Sequence, residues 1–304
     1  MRYLLVGSNG FIGKNVAKLL REGNEEVFLA DRGNTDSENN VFVDLFDKES
    51  IKRVILKVKP DVVLNLAGSV ENTEKALGIN PVFTRNLLDV ILGLKNMPIK
   101  KIIITGSAGE YGEVAGVGPV NEDTPLSGQS YYAKSKIMET SIAKDYKEKY
   151  NLPINIVRIF NPVGAGMHPR FLIPSILRQI EAVNRDEKNY IEISRLDSAR
   201  DYINIRDIAR AIILIAQKKK TKYCVYNLGS GVATSNGELI RQSLQLESSK
   251  KNIEVRQTSE NSENRVADQA DMFRLKSEFS WNPEISLEET IKEIISDQAK
   301  QTQN

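Results

Sequence analysis

Residues 6–13 read VGSNGFIG and place Gly7, Gly10 and Gly13 where an apolar run gives way to an amphipathic stretch. At a strand-to-helix junction the first glycine permits a tight turn and the second lets the main chain approach a pyrophosphate. The third lets the helix pack closely on the strand. The segment therefore predicts a dinucleotide-binding turn, in preference to a simple turn. The dinucleotide is expected to contact the three glycines together with Asn9, Phe11 and Ile12.

Short apolar runs alternate with longer amphipathic stretches through the first half of the chain, which indicates βαβ units and a parallel sheet. The runs are rich in Val, Ile and Leu, as expected of strands that are buried on both faces. The sequence therefore predicts an α/β protein built on a Rossmann-type doubly wound parallel sheet. Six runs are predicted strands: 2–6, 27–30, 41–43, 62–66, 101–105 and 154–159.

The alternation becomes irregular after Phe160, where prolines and glycines are frequent in 162–174. This change predicts a smaller C-terminal α/β domain, to which the family resemblance described below assigns the binding of the substrate. The segments 201–216 and 224–231 each begin with a strand pattern, and both strands are expected to return to the main sheet. The predicted division is a cofactor domain of 1–161 plus about 201–230, and a substrate domain of about 162–200 plus 231–304.

Composition excludes several classes of partner. The 42 basic side chains nearly balance the 40 acidic ones, so no broad positive field is available for nucleic acid or an anionic membrane. The single cysteine, Cys224, forms no internal disulfide, which fits a reducing cytoplasm. The single histidine, His168, disfavours a zinc site, and no metal is predicted. We find neither a signal peptide nor an apolar stretch of the ~20 residues that span a bilayer, so a cytoplasmic protein is expected.

Asp31 ends the second apolar run, about 20 residues after the glycine loop, where a carboxylate can accept hydrogen bonds from the adenosine ribose. A carboxylate there repels a 2′-phosphate, so NAD(H) is favoured. Arg32 can pair with that phosphate instead, so NADP(H) stays open.

The segment 130–136, SYYAKSK, places Tyr132 and Lys136 four residues apart and therefore on one face of a helix. A free phenol has a pKa near 10, and a neighbouring ammonium stabilises the phenolate. Tyr132 is therefore predicted to be the general acid/base. Tyr131 has Ser135 at the same spacing, so it lacks the ammonium.

The G-x-x-G-x-x-G spacing, the acid at Asp31 and the Y-x-x-x-K pair together resemble the extended short-chain dehydrogenases/reductases, the NAD-dependent epimerase/dehydratase family. The resemblance implies that Ser107, in TGSAGEYG, is the catalytic hydroxyl that orients the substrate oxygen. It also implies that Tyr132 and Lys136 contact the cofactor, and that Asn80 matches a family asparagine. Further cofactor contacts are implied at Asp44, Leu45, Leu66, Ala67 and Gly68.

Three later segments extend the resemblance to nearly the whole chain and imply a nucleotide-diphosphate sugar as substrate. RIFNPVGAG implies that Asn161 contacts the nucleotide-sugar. SARDYINIRDIARA places Arg200 and Asp201 near the junction of the substrate domain, where Arg200 is expected to contact the substrate. The segment around NRVADQAD implies that Arg265 binds the diphosphate, for which guanidinium geometry is suited. The resemblance also implies a homodimer through the helix of Tyr132 and a helix at about 76–94.

Departures from the family pattern narrow the reaction. Sugar 4,6-dehydratases carry Asp and Glu where this chain has Ala108 and Gly109, so dehydration is not predicted. The strongest resemblance is to 4-keto-6-deoxyhexose reductases that act at C4, with GDP as the favoured nucleotide. A UDP-sugar 4-epimerase with retained NAD uses the same residues and stays open. So does a non-catalytic NAD-binding redox sensor, although such sensors commonly lose the tyrosine that this chain keeps.

Overall fold

The structure, a computed structural model, describes residues 1–94, 97, 99–112, 118–247, 253–259 and 267–302. The first half of the chain alternates strands and helices. Its elements are β1 (Arg2–Val6), α1 (Phe11–Glu22), β2 (Glu26–Asp31), β3 (Asn40–Phe42), α2 (Lys48–Val58), β4 (Val62–Asn65), α3 (Glu74–Leu77), α4 (Ile79–Gly93), β5 (Lys101–Ser107), a 3₁₀ turn (Ala108–Tyr111), α5 (Tyr131–Tyr150) and β6 (Ile154–Ile159).

The second half is less regular. Its elements are β7 (Asn161–Val163), α6 (Leu172–Asn184), β8 (Tyr190–Ile193), β9 (Ala199–Asn204), α7 (Ile205–Gln217), β10 (Val225–Leu228), β11 (Ala233–Ser235), α8 (Asn236–Leu246), β12 (Glu254–Gln257), β13 (Ala267–Asp268), α9 (Phe273–Phe279) and α10 (Leu287–Thr302). The predicted helix at 76–94 is divided at Gly78 into α3 and α4.

Seven parallel strands form the main sheet in the order β10-β6-β5-β4-β1-β2-β3. The strand order reverses between β1 and β4, and this reversal opens a crevice at the carboxyl ends of the strands, where doubly wound folds bind their ligands. All six predicted strands of the first half join this sheet. The predicted fold class is therefore confirmed.

Alternate side chains of each strand face opposite layers of helices, as the pleat of a strand requires. On β1, Tyr3 and Leu5 pack in the core that contains α1 and α7. Leu4 and Val6 pack in the core that contains α2 and α4. Both layers are apolar, which explains why these strands read as continuous apolar runs.

The smaller sheet contains β7, β9, β11 and β13, with β9 in its centre. The prediction that the strand at 201–204 returns to the main sheet is therefore wrong. Its place beside β6 is taken by β10, which pairs with β6 in parallel as predicted. The buried Asp201 holds β9 in the smaller sheet, because its carboxylate accepts hydrogen bonds from the main chain of Ser230, Gly231 and Ala270.

A separate two-stranded sheet pairs β8 with β12, and α6, α8 and α10 pack with it around a third apolar core. The proposed domain boundaries stay a prediction. Within the described ranges, no helix is both long enough and apolar enough to cross a membrane.

Candidate active site

The glycine loop packs against the main chain that follows β4. Gly7 has a φ of +82°, and a Cβ there would lie 2.5 Å from the main chain of Ala67. A Cβ on Gly13 would lie 2.4 Å from the carbonyl oxygen of Gly7. Both positions therefore require glycine, one for its φ and its neighbour, the other for close packing of α1.

A cleft of about 170 Å³ lies beside this loop, at the carboxyl ends of β1, β2 and β4. Asp31 and Arg32 form its polar wall. A glycine main chain, a carboxylate and an apolar floor fit the adenosine half of a dinucleotide. The other predicted cofactor residues that line the cleft are Gly7, Gly10, Leu45, Leu66, Ala67 and Gly68.

Seven predicted cofactor residues do not line this cleft: Asn9, Phe11, Ile12, Gly13, Asp44, Tyr132 and Lys136. Phe11 and Ile12 line the adjoining cavity. Asp44 is absent from the lining of the cleft, and its carboxylate accepts a hydrogen bond from the main-chain N–H of Phe46. Asn9 donates its side-chain amide to the Asn34 side chain.

Ser107, Tyr132 and Lys136 line one pocket of about 410 Å³, together with Asn161 and Arg200. This pocket shares Leu66, Ala67 and Gly68 with the adenosine cleft. The two cavities therefore form one continuous cleft along the carboxyl end of the sheet. This cleft runs from the glycine loop to the three predicted catalytic residues.

The start of α5 decides which tyrosine faces the pocket. The Ser130 hydroxyl accepts a hydrogen bond from the main-chain N–H of Ala133, which caps the helix. Tyr132 then lines the pocket in the first turn, whereas Tyr131 is 43% exposed and does not line it. Of the two tyrosines, Tyr132 is therefore the one that lines the pocket with Lys136, and its catalytic role stays a prediction.

Lys136 lies one turn further along α5 and is buried. Its ammonium donates to the carbonyl oxygen of Thr105 and to the carboxylate of Glu139. Burial works to lower the pKa of Lys136, but Glu139, together with Tyr132 and Glu110, outweighs burial and raises it. Glu139 was missed in the sequence, although its position three residues after Lys136 on one helix face was a visible signal.

The main chain of Ser107 is fixed from behind by Glu110. The Glu110 carboxylate accepts a hydrogen bond from the Ser107 N–H at 2.8 Å, and Arg158 donates to the same carboxylate at 3.0 Å. The Thr140 hydroxyl donates to it at 2.8 Å. Glu110 is fully buried and engaged on this side, so it supports Ser107 and does not reach the pocket.

Position 109 lies between the two groups that would handle the substrate oxygen. A Cβ on Gly109 would lie 3.4 Å from the Ser107 Oγ and 3.8 Å from the Tyr132 ring. A side chain at this position would therefore project between Ser107 and Tyr132. In this chain glycine leaves that space open.

Asn80 joins the loop after β4 to helix α5. Its carbonyl oxygen accepts a hydrogen bond from the Ser69 N–H at 2.7 Å. Its amide donates to the Ser69 carbonyl oxygen and to the Ser135 hydroxyl, each at 3.0 Å. Asn80 is buried, so these bonds fix the loop of Gly68 relative to the helix of Tyr132.

Asn161, Arg200 and Asp268 also line the catalytic pocket. The Asn161 amide donates to the Asp268 carboxylate at 3.2 Å. The Arg200 guanidinium lies 3.8 Å from the same carboxylate. Burial raises the pKa of Asp268, with Arg200 and Asn161 opposing the shift. The sequence analysis missed Asp268, which becomes recognisable only beside Asn161.

Two further candidates from the sequence are Arg265 and His168. Arg265, the predicted diphosphate ligand, lies outside the described residues. His168 caps a turn, where its Nδ1 accepts a hydrogen bond from the Arg170 N–H. In the part of the chain that the structure describes, no group of three or more His, Cys, Asp or Glu side chains is placed to hold a metal ion.

Comparison with known proteins places this site in a family. Three relatives cover most of the chain. GDP-6-deoxy-D-talose 4-dehydrogenase of Aggregatibacter actinomycetemcomitans is 31% identical, covering 84% of this chain and 83% of that protein. A putative UDP-glucose 4-epimerase of Methanocaldococcus jannaschii is 28% identical, covering 96% and 97%. GDP-6-deoxy-D-mannose reductase of Pseudomonas aeruginosa is 26% identical, covering 97% and 96%.

A solved structure shows the same fold over the whole chain. The structure of RMD from Pseudomonas aeruginosa in complex with NADPH matches with a TM-score of 0.85 and 25% identity, covering 99% of this chain and 100% of that one. A model of the family described as GDP-mannose 4,6 dehydratase matches residues 4–294. The chain therefore belongs to that family, among the NAD-dependent epimerases and dehydratases of the extended short-chain dehydrogenase/reductase type that its motifs predicted.

Proposed function

We propose that this enzyme is an NAD(H)-dependent 4-keto-6-deoxyhexose reductase that acts at C4 of a nucleotide-diphosphate sugar, with GDP as the favoured nucleotide. The observation that carries the proposal is the single pocket that Ser107, Tyr132 and Lys136 line beside an open Gly109. Two of the relatives bear names of enzymes that act on GDP-6-deoxyhexoses, one of them a 4-dehydrogenase.

The pocket residues suit the reduction of a ketone. NADH, when bound, supplies the hydride for C4. The Ser107 hydroxyl donates a hydrogen bond to the C4 oxygen and orients it, and the Tyr132 phenol gives that oxygen its proton. The Lys136 ammonium favours the phenolate that Tyr132 leaves behind. Asn161 and Arg200 line the same pocket, and we expect them to contact the sugar and its diphosphate.

Position 109 argues against the dehydration that the family model's description names. Elimination of water needs an acid/base pair beside the sugar, and this chain has Ala108 and Gly109 next to Ser107. The Glu110 carboxylate is engaged by Arg158 and Thr140 outside the pocket. The Asp268 carboxylate, which also lines the pocket, is engaged by Asn161 and Arg200. Reduction of a ketone needs no acid at position 109, so these pocket residues fit reduction better than dehydration.

A UDP-sugar 4-epimerase is the second candidate, and the relative from Methanocaldococcus jannaschii favours it. It would use Ser107, Tyr132 and Lys136 in the same roles, with oxidation and re-reduction at C4. A non-catalytic redox sensor fits less well, because Tyr132 is kept and lines the pocket. The expected homodimer and cytoplasmic location stay part of the proposal.

The decisive experiment follows NADH absorbance with purified enzyme and GDP-4-keto-6-deoxymannose, which we expect to be reduced with stoichiometric loss of NADH. GDP should also raise the melting temperature more than UDP, dTDP or CDP at equal concentration, by mass action on the folded state. The control is Tyr132→Phe, which should bind but not turn over. Interconversion of UDP-hexoses without net change in NADH, together with a larger shift from UDP, would identify the epimerase instead.

A further inference from the structure

A buried carboxylate contacts the lysine of the catalytic pocket. Glu139 is 1% exposed, and one of its oxygens accepts from the Lys136 ammonium. The other accepts from the Thr84 hydroxyl at 2.6 Å. Thr84 in turn accepts from the Asn65 amide at 3.0 Å. Glu139 is therefore held by α4 and β4 as well as by its own helix.

Burial of the Lys136–Glu139 ion pair costs free energy, so its presence calls for an explanation. Burying two charges carries a desolvation penalty that their attraction often only balances, and apolar side chains of similar volume frequently pack as well. Burial raises the pKa of Glu139, while Lys136 and Thr84 oppose that shift. An ammonium has three N–H donors, of which Lys136 directs one to Thr105 and one to Glu139. The structure thus leaves one donor for the pocket.

The other charged and titratable groups around Lys136 are few in the described residues. Tyr132 lies one turn before it on α5, and Glu110 lies in the 3₁₀ turn. The Glu110 carboxylate is paired with Arg158 from β6 at 3.0 Å. The groups that α4, β4 and β5 contribute around the Lys136–Glu139 pair are neutral. They are the Thr84 hydroxyl, the Asn65 amide and the Thr105 carbonyl. Glu139 is therefore the anion in direct contact with Lys136.

We propose that Glu139 is a positioning residue that offsets part of the Lys136 charge and thereby biases Tyr132 toward holding its proton. This inference rests on the proposed function. An unopposed ammonium would stabilise a phenolate at Tyr132, which is the base that oxidation at C4 requires. With Glu139 in place, Tyr132 keeps the phenol that reduction at C4 requires. Glu139 thus favours the reductive direction, in which the phenol protonates the new alkoxide.

The direct test needs no substrate. Glu139→Gln keeps the size of the side chain and removes its charge. The phenolate absorbance of Tyr132, isolated by subtracting the same titration of a Tyr132→Phe protein, should then develop at lower pH. Seven residues on a helix separate Glu139 from Tyr132 by about 10 Å, and an effective dielectric of about 20 gives a displacement of about one pH unit.

The kinetic arm measures the pH dependence of NADH oxidation with the GDP-4-keto sugar. In Glu139→Gln the alkaline limb of kcat should move down by a similar amount. A matched control is Glu122→Gln, which removes another buried carboxylate, one that accepts from the Asn227 N–H and lies near Arg274. Glu122 is outside the pocket, so its loss should leave the limb in place. Glu139→Asp, which keeps the charge, should restore the wild-type limb.

A second variant keeps the proposal testable if Glu139→Gln folds poorly. Thr84→Val removes the hydroxyl that donates to Glu139 and so favours the neutral carboxyl. It should shift the Tyr132 titration in the same direction by a smaller amount. An unchanged Tyr132 titration in a folded Glu139→Gln or Thr84→Val protein would overturn the proposal. A displaced titration without reduction of the GDP-sugar would uphold it and overturn the proposed function instead.

Discussion

The Asp31 carboxylate accepts a hydrogen bond from the main-chain N–H of Asn9, at 3.2 Å between Oδ2 and N. Its other oxygen accepts from the Gly33 N–H at 3.1 Å. These two bonds hold the carboxylate between the glycine loop and the turn after β2, on the wall of the adenosine cleft. Its negative charge therefore stands where the ribose of a bound dinucleotide would meet the protein.

We expect the enzyme to bind NAD(H) more tightly than NADP(H), because the Asp31 charge repels a 2′-phosphate. Asp31→Ser should weaken NADH binding by roughly tenfold and improve NADPH binding, since a charge-assisted hydrogen bond and the repulsion are both lost. Fluorescence titration of both reduced cofactors measures the change. Tighter NADPH binding by the unaltered protein would show that Arg32, on the same wall, decides the preference.

Tyr132→Phe should lower kcat by roughly 10²–10⁴-fold, the usual cost of losing a general acid/base, with little change in NADH affinity. Tyr131→Phe is the matched control. Tyr131 is 43% exposed and does not line the pocket, so its loss should be mild. If Tyr132→Phe retained activity, the proton would have to come from another group.

The expected homodimer should form through α4 and α5. Each of these helices carries an exposed apolar side chain, Val82 at 38% and Met138 at 46%. Sedimentation at working concentrations should give a dimer, and Met138→Glu should shift it toward monomer because a charge would be buried at the interface. Phe273→Glu on α9, where the side chain is 66% exposed, is the control and should stay dimeric. A monomeric unaltered protein would contradict this prediction.

Stability at low pH should depend on Asp61. Its carboxylate accepts from the Arg2 N–H at 2.9 Å and pairs with Lys100 at 2.7 Å, and the bond to Lys100 is the largest cause that lowers the pKa of Asp61. A lowered folded-state pKa stabilises the fold above the unfolded value of about 4, and this contribution disappears as the pH falls through the folded value.

Asp61→Asn should therefore reduce the free energy of unfolding by about 1 kcal/mol at pH 7, a value kept small by the partial exposure of the pair. The difference between the two proteins should shrink as the pH falls below about 4. Urea denaturation of the two proteins across that pH range measures the difference at pH 7 and its decrease at low pH. A difference that is the same at low and neutral pH would mean that the amide costs packing rather than charge.

Several features of the molecule could be read from local sequence. The strands of the first half follow from apolar runs, because a parallel strand is buried on both faces and its pattern needs no knowledge of distant residues. Gly7 and Gly13 follow from the turn that any βα junction with close packing requires. Tyr132 and Lys136 follow from helical spacing together with the chemistry of a phenol beside an ammonium.

Other features depended on parts of the chain that meet only in the folded molecule. The strand predicted at 201–204 reads like a main-sheet strand, yet β10 occupies the edge beside β6 in its place. An apolar pattern indicates that a strand is buried but does not identify the strand beside it. The prediction therefore placed this strand in the wrong sheet. The place of Asp268 in the pocket could not be predicted for a similar reason. Its hydrogen-bond partner Asn161 lies 107 residues away in the chain.

The sequence by itself determined the class of sheet, the glycine loop and the pair of Tyr132 and Lys136, because each of these depends on spacing within one or two elements. Only the tertiary structure decided how the carboxylate that opposes the Lys136 charge is held. The Thr84 hydroxyl that helps to hold Glu139 comes from another helix, 55 residues away in the chain. A buried charge interacts with whatever the fold places within a few ångströms of it, and that neighbourhood is set by the packing of whole elements.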